Sequence, residues 1–194
     1  MSSNYYDLEE WIATLVASGF FVFVLVVLGI VLLVSILIYV LRSIALYKMA
    51  KKAGYPSPWL AWIPYANTYL MFVLPEKPLT VLAINTKLQS RTTGFIIWLV
   101  ITLGSGIIEG IVMMVPFIGT MIAGFLPLLE TVALIFLLYP MYKDLFSMFV
   151  EESQAKVFAI VSMMIPMTLF IFLLVASSKE PRPVVEIEGT GNYY

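Results

Sequence analysis

Glu109 and Glu130 are the side chains in this sequence best placed to do chemistry, because each is the single charge within a long apolar run. An acidic group at the middle of a membrane helix costs roughly 2.5–3.5 kcal/mol on insertion scales, so it normally faces a partner or a water-filled cavity. Three roles fit such a pair. They are structural groups satisfied inside a helix bundle by protonation or hydrogen bonding, or they meet a basic or polar group of another membrane subunit, or they bind a cation or relay protons in transport. General acid–base work is a further use of two carboxylates, but nothing accompanies them that an enzyme would need. The chain contains no G-x-x-x-x-G-K-[ST], no H-E-x-x-H and no G-x-S-x-G. It also has no cysteine and no histidine. That excludes thiolate nucleophiles, disulfides, Ser-His-Asp triads, His-ligated zinc and the usual haem and iron–sulfur ligation. The expectation is a protein that is not an enzyme, with no cofactor, no metal and no catalytic residue.

Small residues crowd both carboxylates. Gly104, Ser105, Gly106 and Gly110 surround Glu109, with Gly106 and Gly110 at GxxxG spacing; Gly124 and Pro127 precede Glu130. Small residues allow helices to approach closely, and a proline inside a helix frees a backbone carbonyl.

The elements that carry these groups follow from composition. Hydrophobic residues make up 61% of the 194 and charged residues 12%, with a mean hydropathy of +0.99. A soluble domain is about 25% charged, so this chain belongs in a bilayer. The near balance of 11 basic and 12 acidic residues argues against nucleic acid as a partner. The apolar runs predict four spans, at about residues 11–41, 94–118, 120–142 and 157–176, with a tight turn at 116–119. The first run is too long for a signal-peptide core and follows acidic rather than basic residues (Asp7, Glu9, Glu10), so it reads as a retained span.

Basic residues set the expected orientation. Residues 42–93 hold Arg42, Lys48, Lys51, Lys52, Lys77, Lys87 and Arg91; residues 143–156 hold Lys143 and Lys156; the C-terminal segment holds Lys179 and Arg182. With four spans this distribution, nine against two, puts residues 42–93 and 143–156 in the cytoplasm and both termini outside, in a multi-pass protein of the cell membrane.

The connection at 42–93 reads as a basic helical stem followed by an aromatic element. Lys48, Lys51 and Lys52 share one helix face. With Arg42 they set topology and are candidate contacts for anionic lipid headgroups, worth about 1 kcal/mol per basic residue near the surface. Gly54 ends the stem, and Pro56 and Pro58 bar its continuation. The next stretch, residues 59–74, is marginal for a crossing and rich in Trp and Tyr, which favour the membrane interface. It reads as an interfacial or re-entrant element broken at Pro64, with Asn67 placed to cap the restart at Thr68. Trp59, Trp62, Pro64, Asn67 and Tyr69 are anchors and packing groups, or line a partner groove.

These residues carry a resemblance. Lys48, Lys51, Lys52, Ala53 and Gly54, then Trp59, Ala61, Trp62, Ile63, Pro64, Asn67 and Tyr69, spell K-x-x-K-K-A-G followed by W-x-A-W-I-P-x-x-N-x-Y. The pattern resembles a family of small, uncharacterised bacterial multi-pass membrane proteins with a KAG, aromatic, IP, N signature after the first span. Val115, Pro116 and Phe117 match its later I/V-P-F motif loosely. The resemblance covers about residues 42–177 and implies membrane residence and four spans, without an established activity. This chain departs from the pattern after Pro78, where Asn85 to Thr93 adds a polar stretch.

Met113-Met114-Val115-Pro116 recurs as Met163-Met164-Ile165-Pro166, which is either a duplicated pair of spans or coincidence in apolar sequence. Residues 1–10 and 177–194 read as exposed ends; Val184 to Glu188 alternates and suits strand addition to a partner, or the tail is free. The whole reads as an all-α, single-domain, four-transmembrane-helix bundle with a cytoplasmic amphipathic and interfacial segment. The function expected is a non-enzymatic accessory or scaffold subunit packed against a larger membrane complex or a second copy. The alternative is a small oligomeric transporter or channel that handles a cation or protons through Glu109 and Glu130.

Overall fold

The computed structural model describes residues 3–81, 86–88, 90–115 and 118–182. Among them are six α-helices: α1 (Ser3–Lys52), α2 (Ala66–Val73), α3 (Arg91–Val112), α4 (Ile118–Ser147), α5 (Glu152–Met164) and α6 (Leu169–Ser178). Short 3-10 helices, Pro58–Trp62 and Pro166–Thr168, precede α2 and α6. One pair of three-residue strands, β1 (Leu79–Val81) and β2 (Thr86–Leu88), is antiparallel with Leu79 opposite Leu88. Pro116 and Phe117 of the loosely matched motif, Asn85, and the alternating stretch at 184–188 lie outside the described residues.

Among the described residues the regular structure is helical apart from that strand pair, and three stretches are long and apolar enough to cross a membrane: Ser18–Lys52, Arg91–Val112 and Gly124–Ser147. The 22 residues of α3 rise about 33 Å, which matches a hydrocarbon core of about 30 Å. Where spans are expected at 94–118 and 120–142, the helices α3 (Arg91–Val112) and α4 (Ile118–Ser147) stand with shifted ends.

Residues up to Val40 and from Leu41 onward are two compact units. In the first, large apolar side chains such as Phe20, Phe23, Leu33 and Leu37 are exposed, as expected of a helix whose surroundings are lipid. In the second unit the exposed apolar groups line the middle of α3 and α4 (Val100, Ile107, Ile111, Phe125, Leu129, Val132). The packed core gathers instead at the end where α3 begins and α4 finishes. Leu46, Met49, Leu70, Met71, Phe72, Leu79, Met141, Leu145, Phe146 and Leu173 are fully buried there.

The 42–53 stem is part of that core. Ala45, Leu46, Met49 and Ala50 are buried at i, i+1, i+4 and i+5, one helical face, while Lys48 and Lys51 are exposed. The stem ends at Gly54 as expected. Gly54 has φ +73, and its N–H donates to the Lys51 carbonyl while that of Tyr55 donates to the Ala50 carbonyl, the paired bonds of a Schellman cap.

Helices α3 and α4 meet at a tight turn, as the sequence predicts. Gly119 is required for it, because a Cβ there would stand 2.2 Å from the Val112 carbonyl oxygen. Helix α4 continues through Pro127 and Pro140.

The last apolar run differs from the single span expected at 157–176. Pro166 lacks an N–H and disfavours helical geometry at the residue before it, and Ile165 is accordingly extended (φ −130, ψ 86). The chain turns there. The Thr168 hydroxyl donates to the carbonyls of Ile165 (2.8 Å) and Val161 (3.4 Å), which lie at the open end of α5. Helix α6 then runs back along α5. Phe158 stacks on Phe172 with ring centroids 4.3 Å apart, and Lys179 Nζ donates to Gln154 Oε1 at 3.4 Å. Partner numbers rise from 168 to 179 as α5 numbers fall from 161 to 154, so the two helices are antiparallel. At 13 and 10 residues they rise only about 20 and 15 Å, short of a crossing.

Candidate functional site

Glu109 lies on α3 and Glu130 on α4, both half-buried. Among the described residues neither carboxylate has a hydrogen-bond or ion-pair partner. They do not form one site. Glu109 is three residues before Val112, and Glu130 is eleven beyond Gly119, the residue packed against Val112. The difference of eight residues separates their depths by about 12 Å. Around them Gly104, Gly106, Gly110 and Gly124 have no atom of the described residues within 4 Å of where a Cβ would stand.

The aromatic element turns back on itself at Pro64. Pro64, Tyr65 and Ala66 make a γ-turn: the Ala66 N–H donates to the Pro64 carbonyl at 2.8 Å, and Tyr65 has φ 63 and ψ −41, a strained conformation for a non-glycine residue. From this tip α2 runs antiparallel to α3. Tyr65 packs on Trp98 (6.4 Å between centroids), Tyr69 on Phe95 (5.3 Å) and Phe72 on Phe95 (6.2 Å), and Arg91 Nη1 donates to the Phe72 carbonyl at 3.2 Å. The tip is thus level with Trp98, seven residues or about 10 Å deeper along α3 than Arg91. Trp59, Trp62, Ile63, Pro64 and Tyr65 are exposed around it. Tyr69 is half-buried, and Asn67 is buried. Asn67 does not cap the helix: α2 already begins at Ala66 with no side-chain cap, and Asn67 Oδ1 accepts from the Thr68 hydroxyl (3.2 Å).

The four candidate headgroup cations divide. Lys48 and Lys51 face outward. Arg42 is half-buried and points its Nη2 toward the Met71 sulfur at 3.7 Å. Lys52 ion-pairs with Glu180 at 3.0 Å and donates to the Lys179 carbonyl at 2.9 Å.

The central polar node is one that sequence reading missed. Arg91, at the start of α3, is only 6% exposed and ion-pairs with Asp144 on α4, itself 19% exposed. Its Nε also donates to the Lys77 carbonyl. One guanidinium therefore ties α3 to α4, to the end of α2 and to the segment before β1. In the sequence Arg91 is one topology cation among eleven and Asp144 belongs to a polar connection. A signal was available, since Arg91 and Asp144 both abut apolar runs at the same end, but 53 residues separate them.

Beyond α6 the chain returns to this node. The Arg182 N–H donates to the Met148 carbonyl (2.8 Å) and its Nη1 to the Val150 carbonyl (3.3 Å). A cleft of about 530 Å³ opens between Lys52, Lys77, Asp144 and Arg182. Among the described residues no group of three or more acidic side chains gathers as a metal site. Compared with known proteins, the chain matches no family model, no curated protein and no solved structure.

Proposed function

We propose that this protein is a non-enzymatic membrane subunit that packs α3 and α4 against another membrane protein or a second copy. The observation that carries this reading is the pair Glu109 and Glu130, partnerless among the described residues and set in helix faces with open glycines. Intramembrane carboxylates are costly unless matched, and the faces around them leave room for a neighbouring helix to supply the match. Their separation of about 12 Å supports two contacts along a partner helix over one shared cation site. The transport alternative needs both groups on one path, and direct proton exchange between them would need water in the gap. The resemblance to the small bacterial multi-pass family fits either role and brings no activity of its own.

Our reading also places the protein in the cell membrane with three crossings, the N-terminus outside and residues 42–93 and 143–182 in the cytoplasm. A C-terminus outside would require a fourth crossing, for which a folded-back last run gives no support. With three crossings all 11 basic residues fall on one side, a stronger bias than nine against two.

The test is purification in mild detergent with measurement of mass and subunit ratio. The proposal expects a stoichiometric assembly that weakens in Glu109→Gln and Glu130→Gln. A monomer unchanged by either variant contradicts it. A purified chain whose cation flux in vesicles disappears with either substitution establishes the transport alternative instead.

A further inference from the structure

Two short elements of the second unit turn on the same three-residue form. Ile63-Pro64-Tyr65 makes the turn before α2, and Ile165-Pro166-Met167 makes the turn between α5 and α6. All of these residues are exposed. Residues 53–75 and 157–178, around them, contain no Asp, Glu, Lys or Arg. Each turn also meets backbone needs internally. Proline brings no N–H. The carbonyls of Ile63 and Pro64 accept from the N–H groups of Asn67 and Ala66, and those of Ile165 and Pro166 accept from the N–H groups of Thr168 and Leu169.

The two tips stand at one level. Tyr65 packs on Trp98, seven residues into α3 from Arg91. Because Arg91 pairs with Asp144, the matching level on α4 is Leu137, seven residues before Asp144. Burial on α4 begins there: among the described residues from Ile122 to Phe136 none is buried, whereas Leu137 is. Helix α5 follows α4 and packs back along it, with the rings of Phe158 and Phe146 5.6 Å apart. From Phe158 to Met164 the helix rises about 9 Å, which reaches the level of Pro140. The tips are therefore within about one helical turn, roughly 5 Å, of one another along α3 and α4.

One surrounding fits both tips. Trp and Tyr favour the membrane–water interface, and Tyr65 and Trp98 mark this level. The exposed apolar groups of α3 and α4 (Val100, Ile107, Leu129, Val132) continue inward from it, and Arg91 lies about 10 Å further out, at headgroup level. A turn exposed to lipid stops at the headgroup–acyl boundary, because the hydrocarbon core holds no water to meet irregular backbone.

We propose that both Ile-Pro tips insert from the same face into one leaflet, where lipid acyl chains about 5–10 Å beneath the headgroups cover them. The surface is separate from the packing faces around Glu109 and Glu130, and the proposal does not depend on which face of the membrane is cytoplasmic.

The chain has no cysteine, so Ile63→Cys, Met167→Cys, Lys51→Cys and Ile107→Cys each place one nitroxide label in the full chain. The experiment measures collision of each label with oxygen and with a nickel chelate in oriented phosphatidylcholine vesicles, the chelate being admitted to one face at a time. From the face of Lys51, nickel contact should be greatest at Lys51, lower and similar at Ile63 and Met167, and lowest at Ile107. From the opposite face Ile107 should exceed both tips. The depths of the two tips should agree within about 5 Å, and both should be richer in oxygen than Lys51. Matched melting temperatures show that each label leaves the fold in place. A tip as open to nickel as Lys51 overturns the proposal, because that tip is then in water. A tip closed to both oxygen and nickel also overturns it, because protein then covers it. So does a Met167 label that nickel reaches better from the opposite face than from the face of Lys51.

Discussion

Two hairpins in this molecule carry nearly the same tip sequence and reach different depths. Helices α3 and α4, with 22 and 30 residues, are joined after Met113-Met114-Val115. Helices α5 and α6, with 13 and 10 residues, are joined through Met163-Met164-Ile165-Pro166. The long arms match a bilayer and the short ones do not. The difference teaches that an apolar run of span length is not evidence of a crossing. Residues 157–176 have the composition of a span, yet a proline and a threonine in the middle divide them into two arms that satisfy their own carbonyls and pack together. Both hairpins begin and end at the level of the buried core. If the repeat reflects duplication, its unit is a helical hairpin whose two copies differ in arm length.

The bases of the two hairpins are held differently, which is where the comparison is easiest to break. The crossing pair depends on the buried Arg91–Asp144 bridge. Arg91→Met or Asp144→Asn alone should cost about 3–5 kcal/mol, because each leaves a buried partner uncompensated. The double substitution should cost less than the sum of the singles. Reversible unfolding in mixed micelles reads both; a loss under 1 kcal/mol in each single variant would show that the node is not what joins α3 to α4.

The turns come next. Gly119→Val forces a side chain onto the Val112 carbonyl, a backbone atom that cannot swing away, and should cost about 1–3 kcal/mol. Gly106→Ala meets nothing within 4 Å and should stay within about 0.5 kcal/mol. Melting temperatures of the two variants side by side sharpen the claim that the α3–α4 hairpin is closely packed at its tip and open at Gly106.

The smallest effect belongs to the base of the α5–α6 pair. A hydrogen bond from Lys156, with Lys143 also nearby, holds the Glu152 carboxyl below its ordinary value. A carboxyl lowered in the fold stabilises it above its unfolded pKa, about 4.3, and that contribution is lost as pH falls through the folded value. On this exposed pair the contribution is a few tenths of a kcal/mol. Lys156→Gln should therefore lower stability by those few tenths at neutral pH, leave it unchanged below the folded pKa, and flatten the stability-versus-pH curve across the acid window between, as read by unfolding in micelles at stepped pH.

Sequence made the two middle spans and the tight turn between them legible, because α3 and α4 are apolar over a bilayer's thickness and bounded by polar residues. It also marked Gly54 as a helix end and Pro64 as a break. The rest depended on contacts between distant residues. Nothing in Ala45, Leu46 and Met49 says that the basic stem is buried in the core rather than lying on lipid. Asn67 stands where a cap for a restart at Thr68 is expected, yet the γ-turn at Tyr65 starts α2 two residues sooner, at Ala66. The Arg91–Asp144 bridge joins two residues that look like ordinary loop charges. Pro166 was the single local sign of the fold-back, and a proline within a membrane helix is compatible with a kink as well.

The central claim is that the last apolar run turns back, leaving the end of α6 on the side of Lys52 and Lys143. The chain has no cysteine, so one introduced as Asn192→Cys reports on that end alone. With a membrane-impermeant thiol reagent applied to oriented vesicles, the account predicts labelling of this cysteine only from the cytoplasmic face. Labelling only from the outer face would contradict it and restore a fourth crossing.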